Sequence, residues 1–200
     1  MSSSLKNLNN NKIAIVLTQG FADWEYALIA GVGKSFYGLD VKFFSPETGV
    51  VISQGGLVTT VLQNIDQIST WSPRVIAVIG GTLWASENAP DLSKLLKAQH
   101  VDGGIVAGIC GGTLALARAR LLDETMHTSD SIDFLNKNAK PYRGADYFQE
   151  SASAIFDQGV ITAPGTAPVS FAAKIFEAAG INQDTVVQFK KMMSAEHDSY

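Results

Sequence analysis

Unbroken apolar runs alternate along this chain with stretches whose apolar residues recur at helical spacing. Lys12 to Thr18 contains no regular polar position, as expected of a parallel strand covered on both faces. Arg74 to Ile79 and Gly104 to Ile109 read the same way, and Val41 to Phe44 is a shorter run of that kind. Helical spacing covers Trp24 to Tyr37, with Asp23 as the expected N-cap and Gly38 as the stop. Further helices are expected over Pro90 to Gln99, after the glycines at 111 and 112, over Ser131 to Lys137, from Thr166 to Ala179 and over Gln183 to Met193. Val50 to Ser53 and Leu57 to Leu62 flank Gln54-Gly55-Gly56, a hairpin-like turn. Tyr147 to Gln149, Ala154 to Phe156 and Val160 to Ala163 are short strand candidates.

Strands alternating with helices define an α/β fold, a mostly parallel central sheet between helix layers with right-handed crossovers. In such folds the ligand crevice lies outside the carboxyl ends of the strands. Three features fall at those ends: Gly20 to Glu25, Gly80-Gly81, and Cys110.

Composition narrows the class. The 200 residues are 46% hydrophobic, enough for one globular domain with a full core, expected over residues 12–194. The Ser- and Asn-rich segment 1–11 lacks an apolar signal core and is expected to be a disordered lead-in. A net charge of −4 without a basic block argues against nucleic acid or anionic membrane as partners. No apolar run has the length of a membrane span, and a cytoplasmic protein is expected. The single cysteine rules out an intramolecular disulfide and a Cys-rich zinc site. No histidine pair has metal-ligand spacing, so neither metal nor cofactor is expected.

That cysteine carries the chemistry. Gly108-Ile109-Cys110-Gly111-Gly112 reads as strand, sharp turn and helix with a thiol at the corner, the cysteine analogue of a nucleophile elbow. Such a corner strains the backbone, and glycine neighbours permit close approach. The first turn of the following helix would favour a thiolate, which predicts a thiol pKa below about 7 against a free value near 8.5. A small buried cysteine packed as a hydrophobe is the alternative.

Glu25 lies just past the first strand. It is compatible with a thiolate only if burial keeps it protonated, so that it donates a hydrogen bond to the sulfur instead of repelling it. A solvated first-turn carboxylate is the alternative. Gly80-Gly81 ends a strand without side chains; the N–H groups of Gly81 and Gly111 are candidates for an oxyanion hole. His127, in a short extended segment after the elbow helix, is a candidate general base, with Asp130 and Asp133 able to orient it or to start the next helix. A packed histidine is the alternative. Trp84, Tyr142 and Tyr147 are candidate crevice walls or core aromatics.

Three motifs carry a resemblance to a known family: Gly20-Phe21-Ala22-Asp23-Trp24-Glu25; Ile79-Gly80-Gly81 together with the Cys110 elbow; and Ile161 to Pro168. The chain resembles the ThiJ/PfpI superfamily, of the class I glutamine amidotransferase-like fold, over nearly all of residues 12–180. The resemblance implies a flavodoxin-like three-layer sandwich and a homodimer. It implies Cys110 as nucleophile, Glu25 as its protonated partner, and the Gly81 and Gly111 amides as the anion site. The peptidase branch has a histidine directly after the cysteine, where this chain has Gly111. His127 is similar to a histidine in a downstream stretch of the deglycase branch. The expected activity is a cysteine-dependent hydrolase, amidase or glyoxalase-like enzyme acting on a small carbonyl or amide compound. A stress-response redox sensor or a chaperone-like protein using the same cysteine is the alternative.

Overall fold

Residues 11–195 are described by the computed structural model; the expected disordered lead-in lies, but for Asn11, outside them. Eight strands follow in chain order: β1 (Lys12–Val16), β2 (Asp40–Phe44), β3 (Gly49–Ile52), β4 (Val58–Val61), β5 (Val75–Val78), β6 (Ile105–Ile109), β7 (Ile155–Asp157) and β8 (Val160–Ala163). The helices are α1 (Asp23–Tyr37), α2 (Ile68–Trp71), α3 (Ser93–Val101), α4 (Thr113–Arg118), α5 (Ile132–Asn138), α6 (Pro168–Ala178) and α7 (Gln183–Ser194).

Six strands form one sheet in the order β2-β1-β5-β6-β8-β7. Every pair is parallel except β7 against β8. The unbroken apolar runs have a direct cause: successive residues point to opposite faces, and both faces are covered. Ile13, Ile15, Ala77, Ile79, Ala107 and Ile109 pack into the core with Ile29, Phe171, Phe176 and Phe189 of α1, α6 and α7. Ala14, Val16, Ile76, Val78 and Val106 pack on the other face with Leu96, Leu114, Leu116 and Leu135 of α3, α4 and α5.

β1 hydrogen-bonds to β2 on one side and to β5 on the other, so the order of winding reverses there. This places a crevice at the carboxyl ends of β1 and β5, with β6 alongside. The β3–β4 hairpin stands outside the main sheet. It is tied to the loop after β1 by Gln19, whose side chain donates to Val50 O at 2.8 Å and accepts from Ile52 N–H at 3.0 Å.

Several local expectations need correction. Asp23 does not cap α1; the N-cap is Ala22. Its carboxyl instead accepts from Gly55 N–H at 2.8 Å, and a hydrogen bond from the Ser53 side chain is the main cause that holds it below the ordinary aspartate range. Pro90 precedes its helix, since α3 begins at Ser93. Tyr147 to Gln149 is no strand: Ala145–Tyr147 forms a 3-10 turn, and Phe148 makes only a single bridge to His127. Ser131, by contrast, caps α5, its hydroxyl accepting from Phe134 N–H at 3.0 Å.

Candidate active site

β6 ends at Ile109, and the chain turns through Cys110–Gly112 into α4. Cys110 takes φ 52°, the left-handed region that a residue with a Cβ avoids. The strained corner expected from the glycine pattern is therefore present. Thr113 helps hold it, donating from its hydroxyl to Cys110 O at 2.6 Å.

The thiol lies among four loops. Glu25, on the first turn of α1, is fully buried, and its Oε2 accepts from Gly80 N–H at 2.6 Å. Its other oxygen, Oε1, is buried without a hydrogen-bond partner, on the side of Gly80 where Cys110 also packs. Close approach requires Gly80 to lack a side chain: a Cβ there would lie 2.6 Å from Glu25 Oε2 and 2.8 Å from Cys110 Cβ. Gly165 is constrained in the same way, because a Cβ would lie 3.1 Å from Cys110 Sγ. The Gly165 peptide is pinned at both ends. Its N–H donates to Asp130 Oδ1 at 2.8 Å, and its carbonyl accepts from Trp24 Nε1 at 2.9 Å. The Asp130 carboxyl and the Gly111 N–H both lie near enough to the thiol to act on its proton affinity, in opposite directions.

The two oxyanion-hole candidates are brought together. A Cβ on Gly111 would lie 2.8 Å from Gly81 O and 3.3 Å from Gly81 N, so the two peptide units abut beside the thiol.

Electrostatics correct one expectation and support another. Burial raises the Glu25 carboxyl to about 8, so it is protonated at neutral pH, as compatibility with the sulfur requires. The thiol is not lowered as the helix N-terminus suggested. Burial pushes it up, and the nearby Glu25 and Asp130 carboxyls push it the same way, while only the Gly111 N–H opposes them. α4 is short and begins after a 3-10 turn, so its dipole offers little against burial and two carboxyls.

His127 does not hydrogen-bond the thiol. It is fully buried, with both ring nitrogens engaged: Nδ1 donates to Thr125 O at 2.7 Å, and Nε2 accepts from the Tyr142 hydroxyl at 2.7 Å. The Tyr142 and Phe148 rings stand edge-on to the imidazole, and burial lowers its pKa below 6.5. Neither Asp130 nor Asp133 orients it; Asp130 accepts from Gly165 N–H instead. Trp84 is core, its Nε1 donating to Ile79 O at 2.8 Å. Tyr147 sits in the exposed turn after Gly144.

Fold and site together define a class: a parallel α/β protein with a strand-to-helix cysteine facing a protonated glutamate. The chain belongs to the DJ-1/PfpI family, which matches residues 11–178. It is 28% identical over 202 residues to the Bacillus subtilis (strain 168) protein named uncharacterized protease YoaZ, covering 96% of this chain and 95% of that one. It is 31% identical over 185 residues to the uncharacterized protease YdeA of the same organism, covering 91% and 89%. The crystal structure of the DJ-1 superfamily protein Atu0886 from Agrobacterium tumefaciens superimposes with a TM-score of 0.87 at 34% identity, covering 93% of this chain and 98% of that one. Among the described residues, no helix is long and apolar enough to cross a membrane.

Proposed function

We propose that the protein is a cysteine-nucleophile hydrolase of small amide or carbonyl compounds, with Cys110, Glu25 and Asp130 as its working side chains. The observation that carries this reading is the left-handed Cys110 backbone, with its thiol packed on Gly165 close to the buried Glu25 and the Asp130 carboxyl. Asp130 takes the part that His127 was expected to play. It accepts the thiol proton as Sγ bonds to the carbonyl carbon. The C=O electron pair moves to the oxygen, which the Gly81 and Gly111 N–H groups hold. Glu25 donates its hydrogen bond to the sulfur and keeps it from being repelled before attack. With an amide, Asp130 then protonates the nitrogen as the C–N bond breaks and the amine leaves. Water hydrolyses the remaining thioester, restoring the thiol and releasing the acid.

The names of the two Bacillus relatives favour hydrolysis over glyoxalase-like chemistry. A redox sensor needs a thiolate exposed at neutral pH, and burial keeps this thiol protonated until a base takes the proton. The test is turnover on a panel of small amides and methylglyoxal, with mass spectrometry of the trapped acyl-enzyme. Cys110→Ala is expected to reduce turnover to background and to remove the adduct. Turnover that survives the substitution sinks the proposal.

A further inference from the structure

Three consecutive residues at the start of α1 each hold a different loop. Asp23 accepts from Gly55 N–H beside the β3–β4 turn at 2.8 Å, and Glu25 accepts from Gly80 N–H at 2.6 Å. Between them, Trp24 donates from Nε1 to Gly165 O at 2.9 Å, across 141 positions of sequence. Trp24 is 49% exposed, so burial in the core does not account for its place. What it holds is the glycine that spaces the site. A Cβ on Gly165 would lie 3.1 Å from Cys110 Sγ and 3.4 Å from Asp130 Oδ1, so sulfur and carboxyl both close on this one residue. Its N–H donates to the same Oδ1 at 2.8 Å. Asp130 itself is exposed, in the loop before α5, where a free carboxylate would sample several rotamers. The Gly165 N–H selects one of them, and the indole fixes the peptide that carries this N–H.

We infer that Trp24 is a positioning residue: through the Gly165 peptide, its indole N–H fixes the Asp130 carboxyl against the Cys110 thiol. The inference rests on the reading of Asp130 as the proton acceptor of Cys110. Trp24→Phe keeps an aromatic ring on α1 and loses the donor. Gly165 O then turns to water, and the loop gains freedom together with the carboxyl bonded to it.

The test follows Cys110 through its alkylation by iodoacetamide near pH 8, in which the thiolate sulfur bonds to carbon and iodide leaves, so turnover is not needed. A carboxylate beside the thiol opposes the thiolate, so Asp130→Asn is expected to speed alkylation. Trp24→Phe is expected to speed it too, by about threefold or more, the scale of one net hydrogen bond. In the Asp130→Asn background the Gly165 N–H still finds an oxygen but the charge is gone. There Trp24→Phe is expected to change the rate by less than about 1.5-fold, as two residues acting as one unit require. On an amide that the wild type turns over, Trp24→Phe is expected to lower kcat about tenfold with KM within about twofold. A Trp24→Phe alkylation rate within about 1.5-fold of wild type overturns the inference, as does an equal gain in both backgrounds, which marks general loosening of the loop. A rise in KM with kcat unchanged also overturns it. An Asp130→Asn rate equal to that of the wild type removes this inference and the role of Asp130 together. Turnover that survives Cys110→Ala removes the hydrolase reading and leaves the alkylation rates to decide the placement of Asp130.

Discussion

Two polar clusters, one around His127 and one around Cys110, obey opposite rules. Around His127 every polar atom of the imidazole is satisfied: a carbonyl on one nitrogen, a hydroxyl on the other, and aromatic edges against the ring. Around Cys110 the account stays open. Glu25 Oε1 has no hydrogen-bond partner, the backbone at Cys110 is left-handed, and two carboxyls lie near one sulfur. Buried polar groups are normally paired, so the unpaired cluster is the one arranged for something other than stability. A histidine draws the eye in a sequence, yet here it braces a wall, and the carboxyl that acts on the thiol belongs to the aspartate three residues later.

That contrast is exposed to direct attack. Asp130→Asn keeps an oxygen for Gly165 N–H but cannot take the thiol proton, so kcat/KM is expected to fall ~10²–10⁴-fold with little change in Tm. A loss under about tenfold returns the base to an unidentified group.

Glu25 gives a pH signature. Between its ordinary value of 4.5 and about 8, the folded protein holds a proton that the unfolded chain has released. Stability therefore falls as pH rises through that window, by up to about 1.4 kcal/mol per pH unit. Urea midpoints from pH 5 to 8 should show this slope in the wild type and lack it in Glu25→Gln.

His127 carries the opposite sign. Its pKa is lowered by burial, so the unfolded chain takes up a proton that the folded one resists, and stability is lost as pH falls below 6.5. His127→Gln is expected to remove this acid-side loss. It should cost ~1–3 kcal/mol near neutral pH through the partners it strands, and leave kcat/KM within tenfold. A larger loss of activity would erase the distinction between the two clusters.

The parallel strands and the elbow were legible because their causes are local. A strand covered on both faces must be apolar throughout, as β1, β5 and β6 are. A thiol at a tight corner needs small neighbours, and Gly111 and Gly112 supply them. The protonated Glu25 followed from electrostatic consistency alone. Asp130 was not legible as the partner of Cys110, because a residue just before a helix looks like a cap, and only the Gly165 loop brings it to the sulfur. The thiol's raised pKa was missed for a related reason. A dipole can be read from the order of elements, whereas desolvation depends on which loops close over the site. Phe148 was misassigned to a strand because its single bridge to His127 has no periodic pattern behind it.

The left-handed backbone at Cys110 has a genetic reading. One base change converts a cysteine codon to a glycine codon, and glycine is the residue that this conformation prefers. Mutation alone therefore offers position 110 a replacement that relaxes the fold. A lineage with no use for the sulfur would gain stability by accepting it.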